Sequence, residues 1–244
     1  MKIHHVVLTT ALLLLLWEAV ARALRLNVLP PPSDVLLVFF RDLPGELGRH
    51  LLTSGGRTLV SIALAVALAT PPGLVLGQSK AINRLFSPLI YIVYPVPKIV
   101  FLPIVLLFLG IGDASKVFLI TLILWFQILV VVRDEASAIR PELIHSVRSL
   151  GAGRRALFRF VYLPACLPAV LTAIRISIGT AIAVLFFAES FATTSGLGYY
   201  IIVDTWGRLD YTAMYAGVMA MGLLGLVLFF TVDYLERRLC PWKG

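Results

Sequence analysis

Charged residues are scarce in this chain. Asp, Glu, Lys and Arg make up 14% of its 244 residues, while 59% are hydrophobic. A soluble domain holds about 25% charged and about 45–50% apolar residues. A soluble core of this length cannot bury such an excess of apolar surface, so the composition predicts a membrane protein. It also excludes a disordered chain, a disulfide-stapled secreted module and a coiled coil.

Potential metal ligands and catalytic patterns are equally sparse. The two cysteines, Cys166 and Cys240, and the four histidines have no metal-site spacing. The spans described below contain no Ser/His, paired-Asp or His-Glu-x-x-His arrangement, and no Gly-x-x-x-x-Gly-Lys-Ser/Thr phosphate loop occurs anywhere. We therefore expect a protein that is not an enzyme, with no catalytic residue, metal or cofactor of its own.

Long apolar runs dominate what is present. A helix needs about 20 mostly apolar residues to cross the hydrocarbon core, and six stretches qualify. Trp17, Glu18 and Arg22 stand where a signal peptide would carry small residues, so the first stretch is interpreted as an uncleaved helix. The predicted spans are roughly 5–25, 55–77, 85–110, 115–132, 168–191 and 211–232.

Proline interrupts two of these spans. Pro71-Pro72-Gly73 predicts a break and a kink in the second span. Four prolines surround Lys98 in the third span, which predicts a broken helix facing protein or water. They are Pro88, Pro95, Pro97 and Pro103.

The net charge of +8 is interpreted as a signal of how the chain is oriented in the membrane, not of nucleic-acid binding, because the basic residues flank apolar spans. With the N-terminus inside, 12 of the 21 basic residues lie on cytoplasmic segments and seven on outer ones. Lys2 and the six arginines between 133 and 159 are among the twelve. Both termini are therefore predicted to be cytoplasmic.

The cytoplasmic segment 133–165 carries the most informative pattern. Pro141 and Glu142 favour a helix start, and Leu143, Ile144, Val147 and Leu150 form one apolar face. Gly151 is predicted to end that helix. A second helical stretch with Leu157, Phe158 and Val161 on one face is predicted to end at Leu163-Pro164. From periodicity alone, the segment could lie on the membrane surface or dock a soluble partner.

This segment resembles the EAA loop of the permease subunits of bacterial ABC importers. In that pattern a Gly is followed, after nine intervening residues, by Ile-x-Leu-Pro, and here Gly151, Val161, Leu163 and Pro164 match the spacing. His145-Ser146-Val147 stands where the family has Glu-Ala-Ala, a departure that bears on any role of the glutamate. The stretch 148–152 (Arg-Ser-Leu-Gly-Ala) resembles the branch that serves sulfonates, taurine and nitrate.

Further motifs extend the resemblance over nearly the whole chain. They are Leu29-Pro30-Pro31-Pro32-Ser33 before the second span, Gly110-Ile111-Gly112 after the third, Glu189 with Gly196-Leu197-Gly198-Tyr199, and the C-terminal Leu235-Glu236-Arg237-Arg238 with Trp242. The resemblance implies an all-α integral membrane protein of about six transmembrane helices, with one permease domain over residues 1–244. It also implies location in the bacterial inner membrane.

The resemblance further implies a mechanism and partners. Two permease chains, here expected as a homodimer, would form the pathway for a small anionic or polar solute. A periplasmic or lipid-anchored binding protein would deliver that solute, and cytoplasmic subunits would hold ATP and Mg²⁺. The implied ATPase-coupling residues are Pro141, Leu143, Ile144, His145, Val147, Arg148, Leu150, Gly151, Ala152, Leu163 and Pro164.

Ionisable groups within spans are functional candidates. Lys98 either attracts an anionic solute or bonds to carbonyls freed by the prolines, or pairs with Glu189. Glu189 either lines the pathway or faces water, and Arg175 is expected to snorkel to the cytoplasmic interface. The candidate pathway residues are Pro97, Lys98, Pro103 and Glu189. The alternative function is a stand-alone secondary transporter, which also uses broken helices.

Overall fold

The computed structural model describes residues 3–191 and 193–243, and these residues form helices and short connections without any strand. Lys2, which was counted in the orientation argument, lies outside them. The helices are α1 (Ile3–Leu24), α2 (Pro32–Asp42), α3 (Glu46–Gln78), α4 (Lys80–Val93), α5 (Leu102–Leu109), α6 (Asp113–Ala138), α7 (Pro141–Ser149), α8 (Arg154–Leu157), α9 (Leu163–Ser190), α10 (Leu197–Tyr199) and α11 (Tyr211–Leu239). The predicted all-α class is confirmed.

Four helical segments in the described part are long and apolar enough to cross a membrane. They are α3, α6, the continuous helix Arg154–Ser190 and α11. A fifth crossing results if the pair α4 and Lys98–Leu109, bent by 77°, counts as one broken span. Helix α1 coincides with the first predicted span, but the count of six remains a prediction.

Helix α3 continues through Pro71 and Pro72, so these prolines interrupt the hydrogen-bond ladder without ending the helix, and the predicted kink stays a prediction. Pro72 has no N–H to offer the carbonyl of Leu68, four residues earlier. The indole Nε1–H of Trp125 donates to that carbonyl at 3.0 Å. A neighbouring helix thus replaces the missing backbone donor, as membrane helices require.

Helices α3 and α6 run parallel and in close contact. A Cβ on Gly77 would lie 2.4 Å from the Cβ of Ala136, so only glycine permits this approach. Nearer the start of both helices, the Arg57 guanidinium donates to Asp113 Oδ1 from Nε at 2.8 Å. These two contacts join α3 and α6 near both ends of their shared interface, which we call the packed layer.

The third predicted span is broken, as expected from its prolines. Helix α4 ends at Val93, and a 3₁₀ turn (Lys98–Phe101) leads into α5. Pro97 precedes the turn and Pro103 lies in the first turn of α5, where a missing N–H costs least. The pair bends by 77° at this point.

Two compact units can be distinguished within the chain. One consists of the described residues up to Gly55 together with Phe186–Leu224, and the other of Gly56–Leu185 with the described residues from Gly225 onward. In the first unit, Glu18 of α1 accepts hydrogen bonds from Ser33 N at 3.1 Å and from Arg22 Nε at 2.6 Å. The charged end of the first predicted span thereby positions α2.

In the second unit, Arg175 of α9 is bound to α11. Its Nη1 lies 3.1 Å from Asp233 Oδ1 and 3.0 Å from Glu236 Oε2. Two carboxylates on the antiparallel helix therefore hold the Arg175 guanidinium, and its snorkelling to the cytoplasmic interface stays a prediction. The partners lie about 60 residues away in sequence, which conceals the pairing from local patterns.

Candidate functional site

Helix α7 is the exposed part of the loop between α6 and α9. It begins at Pro141, as predicted, and none of its residues is buried. Leu143 is 53% exposed and Leu150, just after the helix, is 86% exposed. Ile144 and Val147, on the same face, are only half-buried. The apolar face therefore exists, and the described part of the chain leaves most of it uncovered.

Gly151 ends this helix in the left-handed region at φ +83°. Its N–H donates to the Arg148 carbonyl at 2.9 Å, and the N–H of Ala152 donates to the Val147 carbonyl at 3.4 Å. A Cβ at position 151 would meet no atom within 4 Å. Glycine is favoured here by backbone conformation alone, as in other helix-ending turns.

Beyond the turn, the chain forms one helix from Arg154 to Ser190. Leu163 and Pro164 lie inside it, so the predicted end of the element at this pair is wrong. A π-helical turn over Phe158–Tyr162 precedes the proline, and the N–H of Leu163 donates to the Phe158 carbonyl, five residues back. The wider turn accommodates Pro164, and such π turns occur frequently at functional sites.

Arginines surround α7 and the following turn. All are exposed, and among the described residues none forms an ion pair. Arg159 lies over the Phe160 ring at 5.9 Å from its centroid. His145, at the position of the family's glutamate, is exposed as well. The segment thus presents apolar side chains and unpaired positive charge together, on Arg140, Arg148, Arg154, Arg155 and Arg159.

Lys98 is buried at the break of the third predicted span. Its Nζ donates to the carbonyls of Val93, Tyr94 and Val96 at 3.1, 3.0 and 3.2 Å. Pro97 has no N–H to offer the Val93 carbonyl, four residues earlier, and that carbonyl also accepts the Val96 N–H at 3.2 Å. This arrangement matches the predicted bonding to freed carbonyls, and it uses all three N–H donors of the ammonium group.

A cavity of about 290 Å³ opens beside Lys98. Gln127 of α6, Thr180 of α9 and Tyr94 also bring polar side-chain atoms to its lining residues. The Gln127 Oε1 atom is buried without a hydrogen-bond partner. Sequence reasoning missed Gln127, although a polar residue in the middle of an apolar span is a usable signal. Pro97 also lines the cavity, whereas Pro103 is not among its lining residues.

Glu189 is fully buried, so the expectation that it faces water is wrong. Its Oε2 accepts hydrogen bonds from the Ser54 hydroxyl at 2.7 Å and from the Gly198 N–H at 3.1 Å. Ser54 in turn accepts the Leu197 N–H at 2.7 Å, and His50 Nδ1 accepts the Gly196 N–H at 3.0 Å. A carboxylate near the end of α9 thus holds the Gly-Leu-Gly turn in place.

The structure therefore groups the predicted residues in three places. The coupling residues from Pro141 to Ala152 form one exposed helix and turn, whereas Leu163 and Pro164 lie in the long helix beyond it. Pro97 and Lys98 share a cavity. Glu189 belongs to a buried hydrogen-bond network in the other compact unit.

Comparison with known proteins identifies the family. Residues 61–240 match the family described as "Binding-protein-dependent transport system inner membrane component". The chain belongs to this family. It is a multi-pass inner-membrane permease subunit of an ABC importer, which confirms the predicted class and excludes the alternative of a stand-alone secondary transporter. The permease subunits have no ATPase site of their own, because partner subunits hydrolyse ATP.

Two curated relatives match this permease over nearly its whole length. The taurine transport system permease protein TauC of Escherichia coli (strain K12) is 32% identical, with 97% of this chain and 88% of TauC covered. SsuC of Bacillus subtilis (strain 168), named as an aliphatic sulfonates transport permease, is 28% identical, with 97% and 87% covered. The predicted sulfonate- and taurine-like branch of the family is thereby confirmed.

Solved structures share the fold. A chain of the inward-facing MetNI methionine ABC transporter is similar with a TM-score of 0.66 and 22% identity, over 79% of this permease and 95% of that chain. A chain of a bacterial ABC transporter involved in alginate import gives a TM-score of 0.59 at 17% identity, with 82% of each chain covered. At these identities the likeness concerns the fold alone.

Proposed function

We propose that the segment 141–164 docks on a cytoplasmic ATP-binding subunit and couples its movements to the spans. The observation that supports this most is the exposed apolar face of α7, formed by Leu143 and Leu150 with Ile144 and Val147 beside them. A solvated helix of three turns gains little from four aliphatic side chains unless another surface covers them.

The continuous helix after the turn supplies the mechanical link. Arg154–Ser190 has 37 residues, which at 1.5 Å per residue extends for about 55 Å. Its first turns follow directly on Gly151, where α7 ends. A displacement of α7 can therefore reach membrane depth through one helix rather than through a flexible linker.

The topology that fits this role places both termini in the cytoplasm. The exposed arginines of the α7 region then lie inside, as the positive-inside rule requires. The turn between α9 and α11, which Glu189 holds, then faces outward.

The solute proposed is a small sulfonate or a similar anion. The names of the relatives, a taurine permease and an aliphatic sulfonates permease, support this class. Lys98 supports it from within the chain, because a buried ammonium group in the membrane attracts an anion and repels a cation. Pro97, Lys98, Pro103 and Glu189 remain our proposed pathway residues.

The working assembly proposed contains two copies of this permease, two ATP-binding subunits that hold ATP and Mg²⁺, and a solute-binding protein outside. The test is uptake of labelled taurine into proteoliposomes that contain the assembly. We expect uptake to require the binding protein and ATP, and to persist after ionophores collapse the ion gradients. Uptake that survives without ATP and follows an ion gradient would contradict the proposal.

A further inference from the structure

The cavity beside Lys98 has several polar side chains in its wall, although close packing inside a membrane protein requires none. About 290 Å³ is roughly ten times the volume that one water occupies in the liquid, so the space can accommodate a small solute. Aromatic and aliphatic side chains form most of the wall, including Tyr94, Phe126 and Val184. Lys98, Gln127 and Thr180 supply the polar groups.

The ammonium group of Lys98 acts here as a fixed charge. Three carbonyls take its donors, and its Nζ lies 4.4 Å from the centroid of the Phe126 ring. It has no N–H left for a solute, but in a medium of low dielectric constant its charge extends across the cavity. The field favours an anionic group without a direct bond to it.

Gln127 and Thr180 offer the hydrogen bonds that Lys98 cannot. The Gln127 Oε1 atom is buried without a partner. In the described part of the chain, the Thr180 hydroxyl makes no hydrogen bond, although threonines within helices commonly bond to a carbonyl one turn back. Buried polar groups are rarely left unpaired in native proteins, so the Gln127 Oε1 atom beside the cavity indicates a missing partner, and the half-buried Thr180 offers a second polar group on the same wall.

We infer that this cavity is an intramembrane binding site for a small zwitterionic aminosulfonate, with Gln127 and Thr180 as its specificity-determining residues. This inference rests on the proposed function, because it names where that solute binds on its way through the permease. The sulfonate accepts a hydrogen bond from the Thr180 hydroxyl within the field of Lys98. The ammonium group of the solute donates to the Gln127 amide oxygen, while its carbon chain contacts Phe126 and Val184.

The test uses the assembled importer in membrane vesicles, with Thr180→Cys as the only reactive thiol after Cys166→Ala and Cys240→Ala. The cysteine is labelled with two methanethiosulfonates of similar size, one with a sulfonatoethyl group and one with a trimethylammonioethyl group. Each rate is divided by that of the same reagent with 2-mercaptoethanol. Rates are taken both at rest and during ATP turnover.

We expect the sulfonate reagent to react at least tenfold faster on this scale. Lys98→Met should abolish the preference, and Lys98→Arg, which retains the charge, should keep it. Taurine at millimolar concentration should slow the labelling at least threefold, and Gln127→Leu should remove that protection. Equal rates, a preference for the cationic reagent, no labelling in either state, or no protection by taurine would overturn the inference.

This design separates the inference from the proposed function. Labelling measures access and charge at position 180 of the cavity, whereas the uptake assay measures transport by the whole importer. If taurine is taken up but labelling shows no preference for the sulfonate reagent, the cavity is not the binding site, while the proposed importer function stands. If labelling prefers the sulfonate reagent and taurine protects against it, but uptake does not depend on ATP, the proposed function is contradicted while the binding site stands.

Discussion

Two glycines of this permease have a positive φ in different surroundings. Gly151, after α7, and Gly196, after α9, have φ values of +83° and +111°. A Cβ on Gly151 would touch nothing within 4 Å, whereas a Cβ on Gly196 would lie 2.2 Å from the Glu189 carboxyl carbon. The first turn is open and the second is filled by a buried carboxylate.

The contrast separates a surface that the described part of the chain leaves uncovered from a turn whose hydrogen bonds are made within the chain. Around Gly151 the apolar and basic side chains are exposed. Around Gly196 the N–H groups of three successive residues are bound by His50, Ser54 and Glu189. The open turn can change its contacts during a transport cycle, and the filled turn can change only if its buried network breaks.

The largest effect is expected at the filled turn. In Gly196→Ala the new methyl group must displace the Glu189 carboxylate, because the clash is with that group. Backbone strain of about 1–3 kcal/mol, at a φ and ψ that almost only glycine adopts, adds to about 1–3 kcal/mol for a disrupted buried hydrogen bond. We expect thermal melting of the detergent-purified protein to occur well below that of the wild type, with loss of uptake.

Gly110→Ala is the matched control for that variant. Gly110 also has a positive φ of +74°, but a Cβ there meets no atom within 4 Å. We expect Gly110→Ala to lose only the stability that backbone strain costs, and therefore to show a smaller fall in melting temperature. If Gly110→Ala and Gly196→Ala lower the melting temperature equally, the buried carboxylate does not determine the need for glycine at position 196.

The next effect is expected at the broken span. Lys98→Met removes the ammonium group that three carbonyls share, and a hydrogen bond to a charged group contributes about 1.5–3 kcal/mol. We expect a lower melting temperature, and taurine uptake reduced more than the amount of permease in the membrane. Lys98→Arg should recover part of both. Unchanged uptake per molecule would limit Lys98 to a structural role.

At the open turn the effect on stability is smaller, but the effect on coupling is large. Gly151→Val forces a β-branched residue into a left-handed turn, which should misplace α7 at a cost of about 1–2 kcal/mol. We expect normal membrane insertion with uptake uncoupled from ATP hydrolysis. Gly153→Val, at an ordinary φ of −77° with free space around it, is the control. Wild-type uptake by Gly151→Val would contradict the coupling role.

The smallest effect is expected in the packed layer. Trp125→Phe keeps an aromatic ring but removes the hydrogen bond to the Leu68 carbonyl. We expect a loss of about 1–2 kcal/mol, measured as a modest fall in melting temperature with uptake retained. Trp206→Phe, which replaces a half-exposed indole, should lower the melting temperature by less. An equal effect of both substitutions would argue against the role of Trp125 in supporting α3 at Pro72.

Local signals predicted much of this fold. Proline at the first position of α7, glycine after it and the cluster of prolines around Lys98 each act within a few residues, and all three predictions match the structure. Apolar runs located the long helices for the same reason. The family resemblance depended on fixed spacing between such local features, beginning with Gly151 and Val161.

The wrong predictions concern positions whose contacts are made with residues far away in the sequence. Ser54 binds Glu189 across 135 residues of sequence, and Trp125 supports α3 across 57. Neither partner follows from helical periodicity. The π turn before Pro164 likewise let the helix continue where proline alone predicted an end. Gln127 was overlooked because its role depends on a cavity that several helices build together.

The central claim is that the exposed face of α7 binds an ATP-binding subunit. The most direct measurement is affinity purification of the tagged permease from its native membrane in mild detergent, with mass spectrometry of the proteins that accompany it. Leu143→Asp with Leu150→Asp is compared with wild type and with the control Leu209→Asp, another exposed leucine. We expect an ATP-binding subunit at about one per permease with wild type and the control, and its loss with the double variant. Equal recovery with all three, or no ATP-binding subunit with any, would contradict the account.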